Sequence, residues 1–156
     1  MIFQNRVEAG EKLAAQVVRV VKGKGIVLGI PRGGVVVAAI LAKKLGWPLD
    51  ILAAKKIGAP GNPELAIGAR VKPTLLKVKG LKVILVDDGV ATGLTIEAGI
   101  DWLRRNGVGK IIVAVPVAAK DSAERLKPLV DGWICLHEAD DLYAVGQFYR
   151  EFGQEQ

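Results

Sequence analysis

The apolar residues of this chain recur at helical spacing in four segments. The first predicted helix is capped by Asn5 and runs to about Lys22, and the others lie at 34–45, 95–106 and 121–127. In the first helix, we expect the inner face to be formed by Val7, Leu13, Val17, Val18 and Val21.

Short apolar runs without polar alternation separate these helices and predict strands. They lie at 26–28, 50–54, 83–86, 111–115 and 133–136, with two further short strands at 65–69 and 75–78. The run 83–86 consists of four branched apolar residues, so both of its faces should be buried. By contrast, the segment 57–63 carries two glycines and two prolines, which is typical of a mobile loop.

Buried strands that alternate with helices predict an α/β fold, in which a parallel sheet is doubly wound by helices on both of its faces. Ligands of such folds bind at the carboxyl ends of the strands. We therefore expect the site residues in the segments that leave those ends, at 30–34, 55–63, 87–95 and 116–120.

The composition fits a single globular domain over residues 1–156. Hydrophobic residues make up 51% of the chain and charged residues 24%, which excludes a disordered protein. No apolar run approaches the roughly 18–20 residues that span a bilayer, and the first residues lack the pattern of a signal peptide. Cys135 is the single cysteine, which excludes an internal disulfide. We therefore expect a cytoplasmic protein with no membrane partner.

Reactive side chains are few, and the charges are unevenly distributed. The single histidine, His137, excludes a histidine-rich metal site, and the single serine, Ser122, does not lie in a nucleophile-elbow sequence. Residues 1–82 hold 15 basic and 4 acidic residues, a charge of +11, whereas residues 83–156 hold 7 and 12, a charge of −5. The basic half could be a nucleic-acid surface, or it could bind a small polyanion whose metal is held by the acidic half.

The strongest motif covers residues 83–95 and reads VILVDDGVATGLT. A buried strand ends here in Asp87 and Asp88, and a turn of small residues then opens a helix. Backbone amides at the start of a helix bind anions, and the hydroxyls of Thr92 and Thr95 add donors. The adjacent carboxylates are placed for the hydroxyls of a sugar or for its metal. Together these features describe a site for a ribose 5-phosphate.

This motif resembles the phosphoribosyl-diphosphate (PRPP) motif of type I phosphoribosyltransferases. The resemblance implies that Asp87 and Asp88 contact the ribose hydroxyls and hold Mg²⁺. It also implies Mg²⁺-dependent transfer of ribosyl 5-phosphate from PRPP to a nitrogenous base, with release of diphosphate. Members of this family are commonly dimers, so a homodimer is expected. The loop that would bind the 5-phosphate comprises Ala91, Thr92, Gly93, Leu94 and Thr95.

Two further segments agree with this resemblance. The segment 29–34, GIPRGG, follows the first strand, where the family has its pyrophosphate loop. There Arg32 can bind diphosphate oxygens, while Gly33 and Gly34 allow amides to approach them. Lys55 and Lys56 follow the second strand, at the family's position for a cation beside a closing flexible loop. The residues that we expect to be catalytic are Asp87, Asp88, Arg32 and Lys56.

The resemblance extends along the chain but has two departures. Segments 6–13, 57–68, 115–117 and 145–149 are similar to an uncharacterised phosphoribosyltransferase-like group. Only residues 71–82 separate Arg70 from Val83, so we expect a reduced hood over the acceptor base. Ala91 stands where hypoxanthine–guanine enzymes carry an acidic residue, although the adenine and orotate branches also lack that residue.

Three functions remain open at this point. The first is the transferase, and the second is a regulatory or sensor protein that binds PRPP or a nucleotide without catalysis. The third is an RNA-binding protein that uses the basic half of the chain. Aromatic residues make up only 5% of the chain and are not interleaved with the lysines, so we do not expect a nucleic-acid partner.

Overall fold

The computed structural model describes residues 2–152, apart from the side chain of Glu64. The helices are α1 (Arg6–Val20), α2 (Gly33–Leu45), α3 (Leu94–Arg105) and α4 (Lys120–Leu126), with short 3₁₀ helices at Lys127–Leu129 and Val145–Phe148. The strands are β1 (Ile26–Gly29), β2 (Leu49–Ile51), β3 (Ala54–Ala59), β4 (Asn62–Val71), β5 (Lys82–Val86), β6 (Lys110–Ala119) and β7 (Gly132–Ala139).

Five of the strands form one parallel sheet in the order β2-β1-β5-β6-β7. The central strand β5 contributes alternate residues to two cores. Val83 and Leu85 pack on the side of α3, whereas Ile84 and Val86 pack on the side of α1 and α2. Helices therefore cover both faces of the sheet, which confirms the doubly wound α/β fold predicted from the apolar strands.

The first helix begins where its sequence predicts but buries a different face. The side chain of Asn5 caps α1 by accepting a hydrogen bond of 2.9 Å from the amide of Glu8. Val7, which was expected on the inner face, is 49% exposed, and the buried stripe starts at Arg6 instead. The offset of about 100° between successive helical residues places Val7 at the edge of that stripe, in the first turn of α1. Within residues 2–152, no helix is both long enough and apolar enough to cross a bilayer.

The segment expected to be a mobile loop is a β-hairpin. Strands β3 and β4 pair antiparallel in a separate two-stranded sheet, with Ala59 opposite Asn62 across the turn. Gly61 in this turn has a φ of 76°, which glycine adopts without strain. Pro63 lies where the register of the hairpin shifts, so its missing N–H costs no regular ladder bond. The glycines and prolines that suggested a loop therefore form a turn and a bulge.

Two other strand predictions needed correction. The predicted strand 65–69 lies inside β4, but 75–78 forms no strand, and Leu75 is 97% exposed. Val78 is instead buried in the core beside α3, which accounts for an apolar residue there without any sheet pairing. Strand β2 ends at Ile51, earlier than the predicted 50–54, because Leu52 turns into the same core.

The two ends of the described chain meet. The amide of Phe3 donates to the carbonyl of Phe148 at 2.8 Å, and the amide of Arg150 donates to the carbonyl of Phe3 at 2.9 Å. The rings of Phe3 and Tyr149 pack with their centroids 5.6 Å apart. Residues that are distant in the sequence are thereby fixed beside each other and next to the carboxyl end of β5.

Leu85 and Leu75 provide a matched pair for testing the central position of β5, because Leu85 is fully buried and Leu75 is 97% exposed. We expect Leu85→Ala to lower the free energy of unfolding by about 2–5 kcal/mol, since the truncation leaves a cavity. Leu75→Ala should change it by less than about 0.5 kcal/mol. Urea unfolding followed by circular dichroism measures both, and equal losses would contradict this placement.

Candidate functional site

A cavity of about 480 Å³ opens at the carboxyl edge of the parallel sheet, beside the ends of β1 and β5. The strand order reverses here, since β2 lies on one side of β1 and β5 on the other. Such switch points are where open α/β sheets bind ligands. The predicted site residues that line the cavity are Arg32, Gly33, Lys56, Asp87, Asp88, Ala91, Thr92, Gly93 and Thr95. Three others, Gly34, Leu94 and Lys55, are not among its lining residues.

The loop 91–95 presents backbone amides at the start of α3. Gly93 precedes the helix with a φ of 79°, and the amide of Leu94 donates to Oγ1 of Thr92 at 3.4 Å. In the part of the chain that the structure describes, the amides of Ala91, Thr92 and Gly93 have no backbone acceptor. Amide donors at a helix N-terminus beside a cavity favour an anionic ligand.

Two side chains of α4 hold this loop from the side away from the cavity. Oγ of Ser122 donates to the carbonyl of Ala91 at 2.6 Å. The guanidinium of Arg125 donates to the carbonyl of Thr92 and forms an ion pair with Glu97. A carbonyl and the following amide point in opposite directions in a trans peptide. These bonds to the loop carbonyls therefore orient the next amides away from α4.

The segment between β1 and α2 passes close to the two aspartates. The amide of Ile30 donates to the carbonyl of Val86 at 2.9 Å, and the peptide bond between Pro31 and Arg32 is cis. A Cβ atom on Gly34 would lie 2.9 Å from Cα of Asp87, and one on Gly33 would collide with the side chains of Asp88 and Arg6. Both glycines therefore provide the space in which α2 starts against the end of β5.

Asp87 and Asp88 have different surroundings. Asp88 is 9% exposed, and its Oδ2 accepts a hydrogen bond from Nε of Arg6 at 2.8 Å. Asp87 is half-buried, and its Oδ1 accepts the amide of Asp88 at 2.8 Å. Burial, followed by the charge of Asp88, raises the pKa of Asp87 well above its ordinary value, while Lys56 acts in the opposite direction. A cation bound beside this carboxyl group would stabilise its ionised form.

Sequence reasoning missed Arg6 and Tyr149 as residues that hold Asp88. The hydroxyl of Tyr149 donates to the backbone carbonyl of Asp88 at 2.7 Å, and Arg6 binds the carboxylate. A signal for Arg6 was present, because it lies on the buried stripe of α1 with Leu13 and Val17. A charged residue on an apolar stripe requires a buried partner. Tyr149 gave no such signal, because its contact depends on the meeting of the chain ends.

Lys55 and Lys56 are separated by the geometry of β3. Neighbouring residues of a strand project to opposite faces, and only Lys56 lines the cavity beside Asp87. Lys55 is paired in register with Arg70 of β4. The sequence predicts both lysines beside a diphosphate, and the structure brings Lys56, but not Lys55, to the cavity.

Among the residues that the structure describes, no serine or cysteine lines the cavity as a nucleophile. Oγ of Ser122 is bonded to Ala91, and burial raises the pKa of the Cys135 thiol on β7 to about 12. Within residues 2–152, no three His, Cys, Asp or Glu side chains are grouped to hold a metal ion. Mg²⁺ is often bound by one or two carboxylates together with substrate phosphates. Asp87, a half-buried carboxyl at the cavity beside a second carboxylate, fits that kind of site.

Sequence comparison relates the chain to phosphoribosyl transferases. The family model of the phosphoribosyl transferase domain matches residues 1–150. The Mycobacterium tuberculosis protein Rv0571c, provisionally named a phosphoribosyl transferase, is 33% identical over 195 residues, with 98% of this chain and 44% of that protein covered. The adenine phosphoribosyltransferase of Mycobacterium marinum is 32% identical over 118 residues, with 69% and 63% covered. The chain thus spans less than two thirds of the length of these relatives.

Solved structures share the fold. The protein TT1426 from Thermus thermophilus has a TM-score of 0.84 and 34% identity, with 99% of this chain and 93% of that chain covered. The purine phosphoribosyltransferase of Pyrococcus horikoshii has a TM-score of 0.65 and 20% identity, with 97% and 93% covered. At the lower identity, the similarity concerns the fold alone.

The raised pKa of Asp87 predicts a pH-dependent effect of removing its charge. An acid whose pKa is raised on folding contributes stability only while it is protonated, and that contribution is lost as the pH rises through the folded-state pKa. In metal-free buffer, Asp87→Asn should therefore raise the Tm at about pH 8, and the gain should disappear towards about pH 3.

Asp101→Asn is the control for this measurement, because the carboxylate of Asp101 is exposed on α3 and pairs with Arg105. We expect this substitution to change the Tm little at either pH. A gain for Asp87→Asn that is the same at both pH values would show that its cause is not the charge.

Proposed function

The chain belongs to the phosphoribosyl transferase family, and on this basis we propose that it transfers the ribosyl 5-phosphate of PRPP to a nitrogenous base with release of diphosphate, in a Mg²⁺-dependent reaction. One observation carries the proposal. The cavity at the switch point of the sheet brings together the amides of loop 91–95, the cations of Arg32 and Lys56, and the carboxylate of Asp87. These groups match the three charged or polar parts of PRPP.

The arrangement of these groups supports one orientation of PRPP. In this orientation, the amides of loop 91–95 and the hydroxyls of Thr92 and Thr95 bind the 5-phosphate at the start of α3. Asp87, which follows β5 directly and lines the cavity, receives the ribose hydroxyls. Arg32 and Lys56, which line the same cavity, bind the diphosphate.

The proposed reaction needs electrostatic help more than a covalent nucleophile. As the bond from C1 of the ribose to the diphosphate breaks, positive charge develops on C1 and negative charge on the leaving group. Arg32 and Lys56 stabilise that negative charge, and Mg²⁺, when bound with PRPP, supplies further positive charge there. Asp87 is the carboxylate of this chain that fits the ion. The scarcity of nucleophilic side chains is consistent with this chemistry.

Part of the cavity has apolar walls, and position 91 carries no acidic residue. Val90, Ile96 and Val145 contribute these walls, and Val145 comes from the 3₁₀ helix near the chain end. We propose that this chain-end segment takes the place of the hood that residues 71–82 are too short to form. Because position 91 is Ala, the proton of an acceptor nitrogen is not removed by a side chain at that position.

A second candidate function is a sensor that binds PRPP without consuming it. The shortness of residues 71–82 favours this candidate, because a reduced hood leaves the acceptor site open to water. The two candidates share the PRPP site and differ in turnover. A screen of bases with PRPP and Mg²⁺, read out as diphosphate release, separates them: release with any base supports the transferase, and calorimetric binding without release supports the sensor.

Lys56 and Lys55 provide a matched pair for testing the proposed diphosphate site. We expect Lys56→Met to weaken Mg²⁺–PRPP binding by about 10- to 100-fold, because a hydrogen bond to a charged group contributes about 1.5–3 kcal/mol. Lys55→Met should change it by less than about twofold, since that side chain does not line the cavity. Calorimetric titration with PRPP in the presence of Mg²⁺ measures both variants.

This comparison also tests the site itself. The two variants remove the same charge from adjacent, exposed residues of β3, so a nonspecific effect of net charge would lower both affinities equally. Equal losses would contradict the placement of the diphosphate beside Lys56. Wild-type protein that binds no PRPP at all would overturn both candidate functions.

A further inference from the structure

Arg6 and Asp88 form a buried ion pair in the wall of the candidate site. Their side chains are 5% and 12% exposed, and Nε of Arg6 lies 2.8 Å from Oδ2 of Asp88. The pair joins the first turn of α1 to the end of β5, across 82 residues of sequence. A buried pair of this kind leaves a large unbalanced charge if either partner is removed.

The surroundings of Arg6 fix its guanidinium on Asp88. The guanidinium carbon lies 4.1 Å from the ring centroid of Phe152 and 5.9 Å from that of Tyr149. Gly33 also packs closely against the ion pair, since a Cβ atom at this position would collide with both Arg6 and Asp88. Aromatic faces attract a guanidinium and add to the ion pair. Arg6 therefore cannot move to Asp87 without disturbing the chain end and the start of α2.

The two carboxylates consequently face different cations. Asp88 is matched by Arg6, and its backbone carbonyl accepts a hydrogen bond from Tyr149 at 2.7 Å. Asp87 is more exposed than Asp88, and the opposing charge that acts on it is Lys56, which projects into the cavity from the hairpin. A carboxylate already neutralised by a buried guanidinium has little remaining charge to offer a second cation.

We propose that Arg6 is a positioning residue that divides two roles between Asp87 and Asp88. It holds Asp88 as a structural anion and leaves Asp87 as the carboxylate that faces the metal of PRPP. The motif alone gives both aspartates the same role, and only the contact with α1 distinguishes them. That the metal is bound together with PRPP rests on the proposed function. The division of roles between Asp87 and Asp88 is a property of the protein without ligand.

A divalent cation without PRPP provides the test. If Arg6 holds Asp88 away from the metal, removing the charge of Arg6 should increase the affinity for that cation. In wild-type protein, Mn²⁺ without PRPP meets one available carboxylate and should bind weakly. In Arg6→Met, Asp88 is released beside Asp87, and Mn²⁺ should bind about tenfold more tightly, as expected when one nearby cation is removed. Electron paramagnetic resonance of free Mn²⁺ measures the affinity.

Two matched variants show whether the gain comes from Asp88. Arg6→Lys retains the cation, so its Mn²⁺ affinity should remain within about twofold of the wild-type value. Arg6→Met combined with Asp88→Asn removes both charges and should also return the affinity to about the wild-type level. Destabilisation alone would not raise metal affinity, so a gain in Arg6→Met that disappears in the double variant identifies the role of Arg6.

The Mn²⁺ affinities of the Arg6 variants and the binding of PRPP by wild-type protein test separate statements. Folded Arg6→Met protein with wild-type or weaker Mn²⁺ affinity would overturn the division, as would a gain that persists in the double variant. If Arg6→Met does not fold, Arg6→Gln provides the same test, because it keeps a donor for Asp88 but carries no charge. Wild-type protein that binds no PRPP would overturn the proposed function, and the Mn²⁺ comparison would still decide the division.

Discussion

Two adjacent carboxylates at the end of a strand buried on both faces impose the constraint on which this site depends. Strand β5 is enclosed by two cores. The carboxylates of Asp87 and Asp88, which follow this strand directly, therefore have poor access to solvent. Each carboxylate requires a separate source of compensation. Asp88 obtains it from Arg6 within the fold. Burial and the charge of Asp88 raise the pKa of Asp87, and the charge of Lys56 opposes that shift.

The same constraint gives a structural meaning to the uneven charge of the chain. The basic half contributes Arg32 and Lys56 to the cavity, and the acidic half contributes Asp87 and the amide loop. Most of the remaining charges lie on exposed surface, where they take no part in the site. An anion with phosphate groups at both ends and hydroxyls between them fits this arrangement, and PRPP is such an anion.

The sheet, its helices and the two loops at its edge could be predicted from the sequence, because they depend on local patterns: uninterrupted apolar strands, helix caps and the run from Val83 to Thr95. The hairpin was not predictable in this way, since the glycines and prolines of a bulged turn resemble those of a loop. Lys55 and Lys56 were separated only by strand geometry. The contacts of Asp88 with Arg6 and Tyr149 join residues that are 82 and 61 positions apart, and no local pattern specifies such pairings.

A crystal structure of the protein with PRPP and Mg²⁺ would locate each group of the ligand in the cavity. We expect the 5-phosphate against the amides of loop 91–95, the ribose hydroxyls and the metal beside Asp87, and the diphosphate between Arg32 and Lys56. The pair of Arg6 and Asp88 should remain intact in that complex. PRPP bound elsewhere, or bound with its phosphates at the aspartates and no metal between them, would contradict this assignment of the site.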